Sequence, residues 1–321
     1  MALLGKLVSR ILPQKYAYAP FNISLHIRPF NDLLRSGDTE GAVNFYKSLS
    51  ASERTLLVEA ASEAISSDDF FDDWYDAGNG PPLAGLLRGA LLVKRAWFYR
   101  GGGRGKDVSE QQWQNMEGAL VKAVNSLKPL LGDPAYGTEA NARCIRAAKG
   151  LGLSWDELDT LLENMRQDGK LHLYGEIDYL VASCEKWLGS HDKMFEHAFA
   201  VAARYPHSPE AGAMMAAAHF ERLLYYAAFD QDGAKAESYI TDAKVLGELR
   251  TASRRVMSAS SHDHPDYIVA HNIFAAAFYY FDCIADAKPH FDHMGEQVLP
   301  YPWRHFSADD IQEAYTKAMR T

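Results

Sequence analysis

Apolar residues recur at helical spacing along nearly the whole chain, and almost nowhere at the spacing of a strand. In "PLAGLLRGALLVKRAWFYR", Leu86, Ala90, Val93 and Trp97 follow one another at steps of four, three and four, the repeat that lines one side of an α-helix. Trp113, Met116, Leu120, Val124 and Leu127 do the same in the next segment, and Val269, Ile273, Ala276, Tyr280 and Cys283 do so in "PDYIVAHNIFAAAFYYFDCIAD". The last of these is poor in charge on its other side as well, which predicts a helix buried on more than one face. Strand-like alternation is confined to "ISLHIR" and "KLHLY", too little to build a sheet. The fold class that follows is all-α, with helical hairpins stacked as an α-solenoid or a compact α-α superhelix.

Local start signals agree with this reading. "SWDE" from Ser154 and "SADD" from Ser307 have the form of capping boxes, in which a hydroxyl and an acidic side chain satisfy amides at a helix N-terminus. Ser208 stands where it can cap a helix begun by Pro209, and Pro265 opens another,. Residues 191–205 and 209–229 read as two helices hinged at "YPHSP". The small residues Ala211, Gly212, Ala213, Ala216, Ala217 and Ala218 leave little between helix axes there, so neighbours can approach closely. The whole of 1–321 reads as one domain, with a weak seam at 101–107, "GGGRGKD".

The balance of 33 Lys plus Arg against 42 Asp plus Glu gives a formal charge of -9. Nucleic acid is therefore not an expected partner, since that affinity rests on cationic contacts to phosphate; a basic protein surface is a better match. Cys144, Cys184 and Cys283 are far apart in the sequence, which suggests buried thiols in a reducing, cytoplasmic compartment rather than a disulfide framework. Leu3, Leu4, Leu7, Ile11 and Leu12 share one helical side; residues 1–12 read as a terminal helix over the core, with a peripheral membrane foot as the alternative. No apolar run reaches the length of about 18 residues that a membrane span needs.

Two fragments carry a family resemblance. "SGDTEGAVNFYKSL", with Gly37, Ala42, Tyr46 and Leu49, resembles the second helix of a tetratricopeptide repeat. "FEHAFAVAARYPHSPEAGAMMAAAHF" resembles the join between two such repeats, Pro206 closing a helix pair, and "CEKWLGSHDKMFEHAF" is similar to bacterial helical proteins of that type. The Trp, Leu-Gly and Tyr set of a first helix is absent, as is a clean period of about 34 residues. The resemblance implies a tetratricopeptide-like, non-catalytic scaffold in a bacterial cytoplasm, needing no cofactor and holding a protein or peptide in a concave groove. An immunity or adaptor protein for a toxin or effector is an alternative of the same class.

Candidate chemistry is sparse. "DDFFDDWYDAGNG" sets Asp69, Asp72 and Asp73 around Phe71, Trp74 and Tyr75, a mixture in which aromatic rings supply contact area and carboxylates steer a basic partner. These are the expected partner-binding residues. "HDHPDYIVAH" offers His262, Asp263, His264 and His271 as ligands for a metal-dependent hydrolase of the His-Asp type, with His219 and Asp282 or Asp292 as further members. His264 and His271 would lie about 10 Å apart along a helix, which is too far for one ion unless the first is displaced. "PHFDHM" gives His290 and His293 as half of another metal site, with Asp292 between them. "RGGGRGKD" lacks the spacing and the hydroxyl of a phosphate loop and reads as a hinge,. His219, on an apolar helix, reads as a core histidine satisfied by a neighbouring side chain.

Overall fold

In the computed structural model, which describes residues 27–64, 74–75, 80–262, 264–295, 297–303 and 308–321, every regular element is helical. The all-α expectation holds among the described residues, with no strand. The described residues fall into two compact units, one within Phe21–Ala182 and one within Ser183–Thr321. The expected seam at 101–107 lies inside the first unit. No helix of the described residues is long and apolar enough to cross a membrane.

The first unit contains α1 (Ile27–Ser36), α2 (Thr39–Ser48), α3 (Ala51–Ala64), α4 (Pro82–Arg100), α5 (Glu110–Leu127), α6 (Gly137–Leu151), α7 (Trp155–Met165) and α8 (Leu173–Ala182). Its helix starts are chemically explicit. Asp38 accepts from the Gly41 amide, and Ser109 with Gln112 and Ser154 with Glu157 form complete capping boxes,. The alternating "KLHLY" becomes the start of α8 because His172 Nδ1 accepts from the Gly175 amide at 3.0 Å. Phe30, Tyr46, Leu57, Leu86, Leu87 and Leu127 fill the core, and Tyr46 stacks on Tyr136 at 5.3 Å.

A buried ionic network ties α3, α6 and α8 together. Arg143 pairs with both Glu59 and Glu139, and Arg146 bridges Glu59 at 2.6 Å and Asp178 at 2.8 Å. Since His172 Nδ1 accepts from an amide, its proton is on Nε2, which donates to Glu139 Oε2 at 2.8 Å,. Burial alone would raise the Glu59 carboxyl, but Arg143 and Arg146 overcome it and hold it at about 2. Glu139 follows the same logic: burial is outweighed by Arg143 and His172, and its carboxyl lies far below the usual range.

The second unit contains α9 (His191–Arg204), α10 (Ala213–Leu224), α11 (Gly233–Ile240), α12 (Ala243–Met257), α13 (Pro265–Tyr280), α14 (Ile284–Met294) and α15 (Ala308–Arg320). The expected helix over 209–229 is three pieces: a 3-10 turn at Pro209–Gly212, then α10, then a π-turn at Tyr225–Phe229. Ser208 precedes this turn without a side-chain cap bond. The close approach expected from the small residues is real, since a Cβ on Gly212 would lie 2.8 Å from the Ala252 carbonyl oxygen of α12. The predicted all-round burial of α13 is also observed, with every residue from Asp266 to Tyr280 buried. Inside it, Asn272 donates to the carbonyls of Ile268 and Gln297, and accepts from the Leu299 amide and Trp303 Nε1. One amide side chain thereby ties α13 to the segment that follows α14.

Cys144 and Cys184 are buried thiols as expected, whereas Cys283 is half-buried. The Ser307 cap and residues 1–12 lie outside the described residues.

Candidate metal centre

The helix α13 begins where His264 sits at the cap, its Nδ1 accepting from the Asp266 amide at 3.4 Å and lying 3.8 Å from the Asp266 carboxylate. His264 thus serves the local cap, and the group of converging histidine nitrogens consists of His262, His271 and His293. Two turns into the helix, His271 is buried at 1% exposure. Its Nε2 lies 2.9 Å from His262 Nδ1 and its Nδ1 lies 2.9 Å from His290 Nδ1. His290, on α14, is fully buried at 0% exposure; its Nε2 lies 2.8 Å from Ser253 Oγ on α12. Phe274 stacks on the His290 ring at 4.8 Å and Phe278 closes in at 5.8 Å.

His293, one helical turn further along α14, completes the group. Its ring lies 4.1 Å from that of His262 and 4.7 Å from that of His271. One ligand nitrogen each from His262, His271 and His293 falls within 4.8 Å of the others. The three stand in graded exposure, with His271 buried, His262 half-buried and His293 exposed. The sequence treats "HDHPDYIVAH" and "PHFDHM" as separate half-sites; the pairing of α13 with α14 makes them one.

Protonation follows from the burial. His271 is held down to about 3, first by burial and then by His293 and His262. His290 lies well below its ordinary value, again through burial first, with His271, His293 and His262 adding to it. Each of these neutral rings can donate once and accept once. The chain from His262 through His271 and His290 to Ser253 therefore runs in one of two senses.

The other residues singled out in the sequence take structural places. His219 has Tyr239 Oη at 2.6 Å from Nδ1 and Glu248 Oε2 at 3.1 Å from Nε2; it is the satisfied core histidine expected and no member of the cluster. Burial, reinforced by Arg222, holds it at about 3. Asp282 takes a left-handed φ of 55° just past α13. In the glycine-rich loop, Arg100 donates to the carbonyls of Gly101 and Gly103, so carbonyl oxygens face a cation, the reverse of a phosphate cradle. Trp74 packs on the core of the first unit, and Tyr75 lies under the Arg88 guanidinium at 5.0 Å. Asp69, Phe71, Asp72, Asp73 and Asp263 lie outside the described residues.

Comparison with known proteins adds no relative to set beside this geometry: no family model, no curated protein and no solved structure matches the chain.

Proposed function

We propose that the unit Ser183–Thr321 binds a divalent transition-metal ion through His262, His271 and His293. The observation that carries this reading is the convergence of three imidazole nitrogens within 4.8 Å, drawn from the turn before α13, from α13 and from α14. Three nitrogens on one tetrahedral ion stand about 3.3 Å apart at ordinary zinc–imidazole lengths of about 2.0 Å, so modest closure of the exposed His293 side completes the set. The ion takes the place of the proton now shared between His262 and His271. All-imidazole ligation suits zinc, copper, nickel or iron rather than magnesium or calcium. Three protein ligands leave a position for water, the arrangement used in metal-assisted hydrolysis.

The test is elemental analysis of the full chain after loading with zinc and desalting. About one ion per chain is expected for the parent, with loss of binding in His271→Ala and in His293→Ala. The exposed His293 controls for folding, because its removal leaves the buried core intact. Parent protein that retains no zinc, nickel or copper overturns the reading.

A second reading, a non-catalytic scaffold or adaptor for a basic protein partner, is supported by Phe98. That ring is 81% exposed near the end of α4, on a chain of net charge -9. Affinity capture from the native host in which Phe98→Ala and parent return the same proteins would remove that support.

A further inference from the structure

The place where α10 gives way to its π-turn gathers several features that a folded chain keeps only at a cost. The wider winding of Tyr225–Phe229 sets Tyr225 and Phe229 ring on ring, 5.8 Å apart and 1° from parallel; π-turns inside helices collect at functional sites. Just beyond, Gln231 holds a left-handed φ of 56°, uncommon for a residue with a Cβ. His191, at the start of α9, has both ring nitrogens buried with no hydrogen-bond partner among the described residues. It packs edge-on against Tyr225 at 4.9 Å and Tyr226 at 5.5 Å. Such buried unpaired groups are rare in native proteins and ask for an explanation.

Arg222 supplies the charge. Its guanidinium is half-buried against Phe195, Tyr226 and Tyr239, at 5.6, 5.6 and 5.4 Å from the ring centres. Its Nε donates to Tyr226 Oη at 2.7 Å. Among the described residues no carboxylate pairs with it, and the acids around the pair are engaged elsewhere: Glu221 by Lys186, Asp230 by Lys235, and Glu185 by the His191 amide, which donates to its Oε2 at 3.3 Å. A guanidinium packed among aromatic rings keeps its terminal nitrogens as a planar fork suited to a carboxylate or phosphate. The aromatic rings beside it add cation–π attraction and hold the guanidinium in place,.

We propose that Arg222 and His191, which flank the same Tyr226 ring, form a binding site for a small molecule carrying an oxyanion. Arg222 takes the carboxylate or phosphate through its terminal nitrogens, and His191 gains the partner that its ring lacks. The Tyr225–Phe229 stack, with Phe229 exposed and Lys186 Nζ 5.8 Å from its ring centre, borders the site with aromatic surface and a second cation. The site uses none of the metal-cluster histidines, so it stands or falls separately from the metal reading.

Calorimetric titration of the full chain, stripped of metal with EDTA, tests it with two probes, inorganic phosphate and benzoate. The parent is expected to bind at least one of them saturably with a Kd below about 1 mM. Arg222→Lys keeps the charge but loses the fork, and is expected to weaken binding about tenfold or more. His191→Gln, read beside the helix content of both variants by circular dichroism, decides the case if Arg222→Lys fails to fold. Saturation by phosphate alone assigns a phosphorylated ligand, and by benzoate alone a carboxylate. No saturable heat with either probe up to about 10 mM overturns the proposal, as does a Kd unchanged in both variants.

Discussion

His290 faces His271 with one nitrogen at 2.9 Å and Ser253 with the other at 2.8 Å, and under the proposed metal binding that pair of contacts would give a side chain on α12 a part in it. An ion on His271 Nε2 requires the His271 proton on Nδ1, where it is donated to His290 Nδ1. The His290 proton then stands on Nε2 and is donated to Ser253 Oγ. Outer contacts of this kind orient metal ligands, and their loss typically lowers affinity about 10- to 100-fold. Ser253→Ala is expected to weaken zinc binding within that range, measured by competition with a chelator, and Ser253→Thr to retain most of it. Equal affinities for parent and Ser253→Ala would separate His290 from ligand support. Ser253 carried no signal in the sequence, because nothing in a run of helical residues tells which serine will meet a histidine 37 positions away.

At the scale of elements, the stripes through Leu86, Met116 and Ile273 were readable because helix periodicity is local. All three residues are buried. The capping box at Ser154 was readable for the same reason. Ser208 misled: the turn begun by Pro209 is a 3-10 turn, and the serine side chain makes no cap bond to it. The histidine cluster was half legible. Its members stood out as two motifs, but nearness in sequence grouped His264 with His262 and His271, whereas the third histidine of the cluster, His293, comes from the neighbouring helix α14. Which helices pair is a property of tertiary packing, absent from any local pattern. Asn272 fastens α13 to the segment that follows α14. Asn272→Ala leaves the Leu299 amide, Trp303 Nε1 and the Gln297 carbonyl without their partner. At about 1–3 kcal/mol for each buried group left unpaired, a loss of about 3 kcal/mol or more is expected in denaturant unfolding.

Across the whole molecule, the two units carry different acid limits. His219 and His271 are each held at about 3 against an ordinary 6.5. The unfolded chain takes up these protons as pH falls below 6.5, and the folded unit does not until about 3. Stability of Ser183–Thr321 is therefore fullest above pH 6.5 and declines through that window. In Phe21–Ala182 the depressed Glu59 contributes stability that is complete above 4.5 and is lost only as pH falls towards about 2,. Hydrogen exchange at about pH 5, corrected for its intrinsic rate, is expected to show α10 and α13 loosened relative to neutral pH while α3 and α6 hold. Equal loosening of all four helices would contradict the assignment. The enclosure of α13 has one more consequence. A pillar walled in on every side can greet no visitor, so substitutions from Asp266 to Tyr280 will speak of scaffolding alone, save where His271 reaches the cluster. A search for docking residues in this half of the chain can pass that helix by.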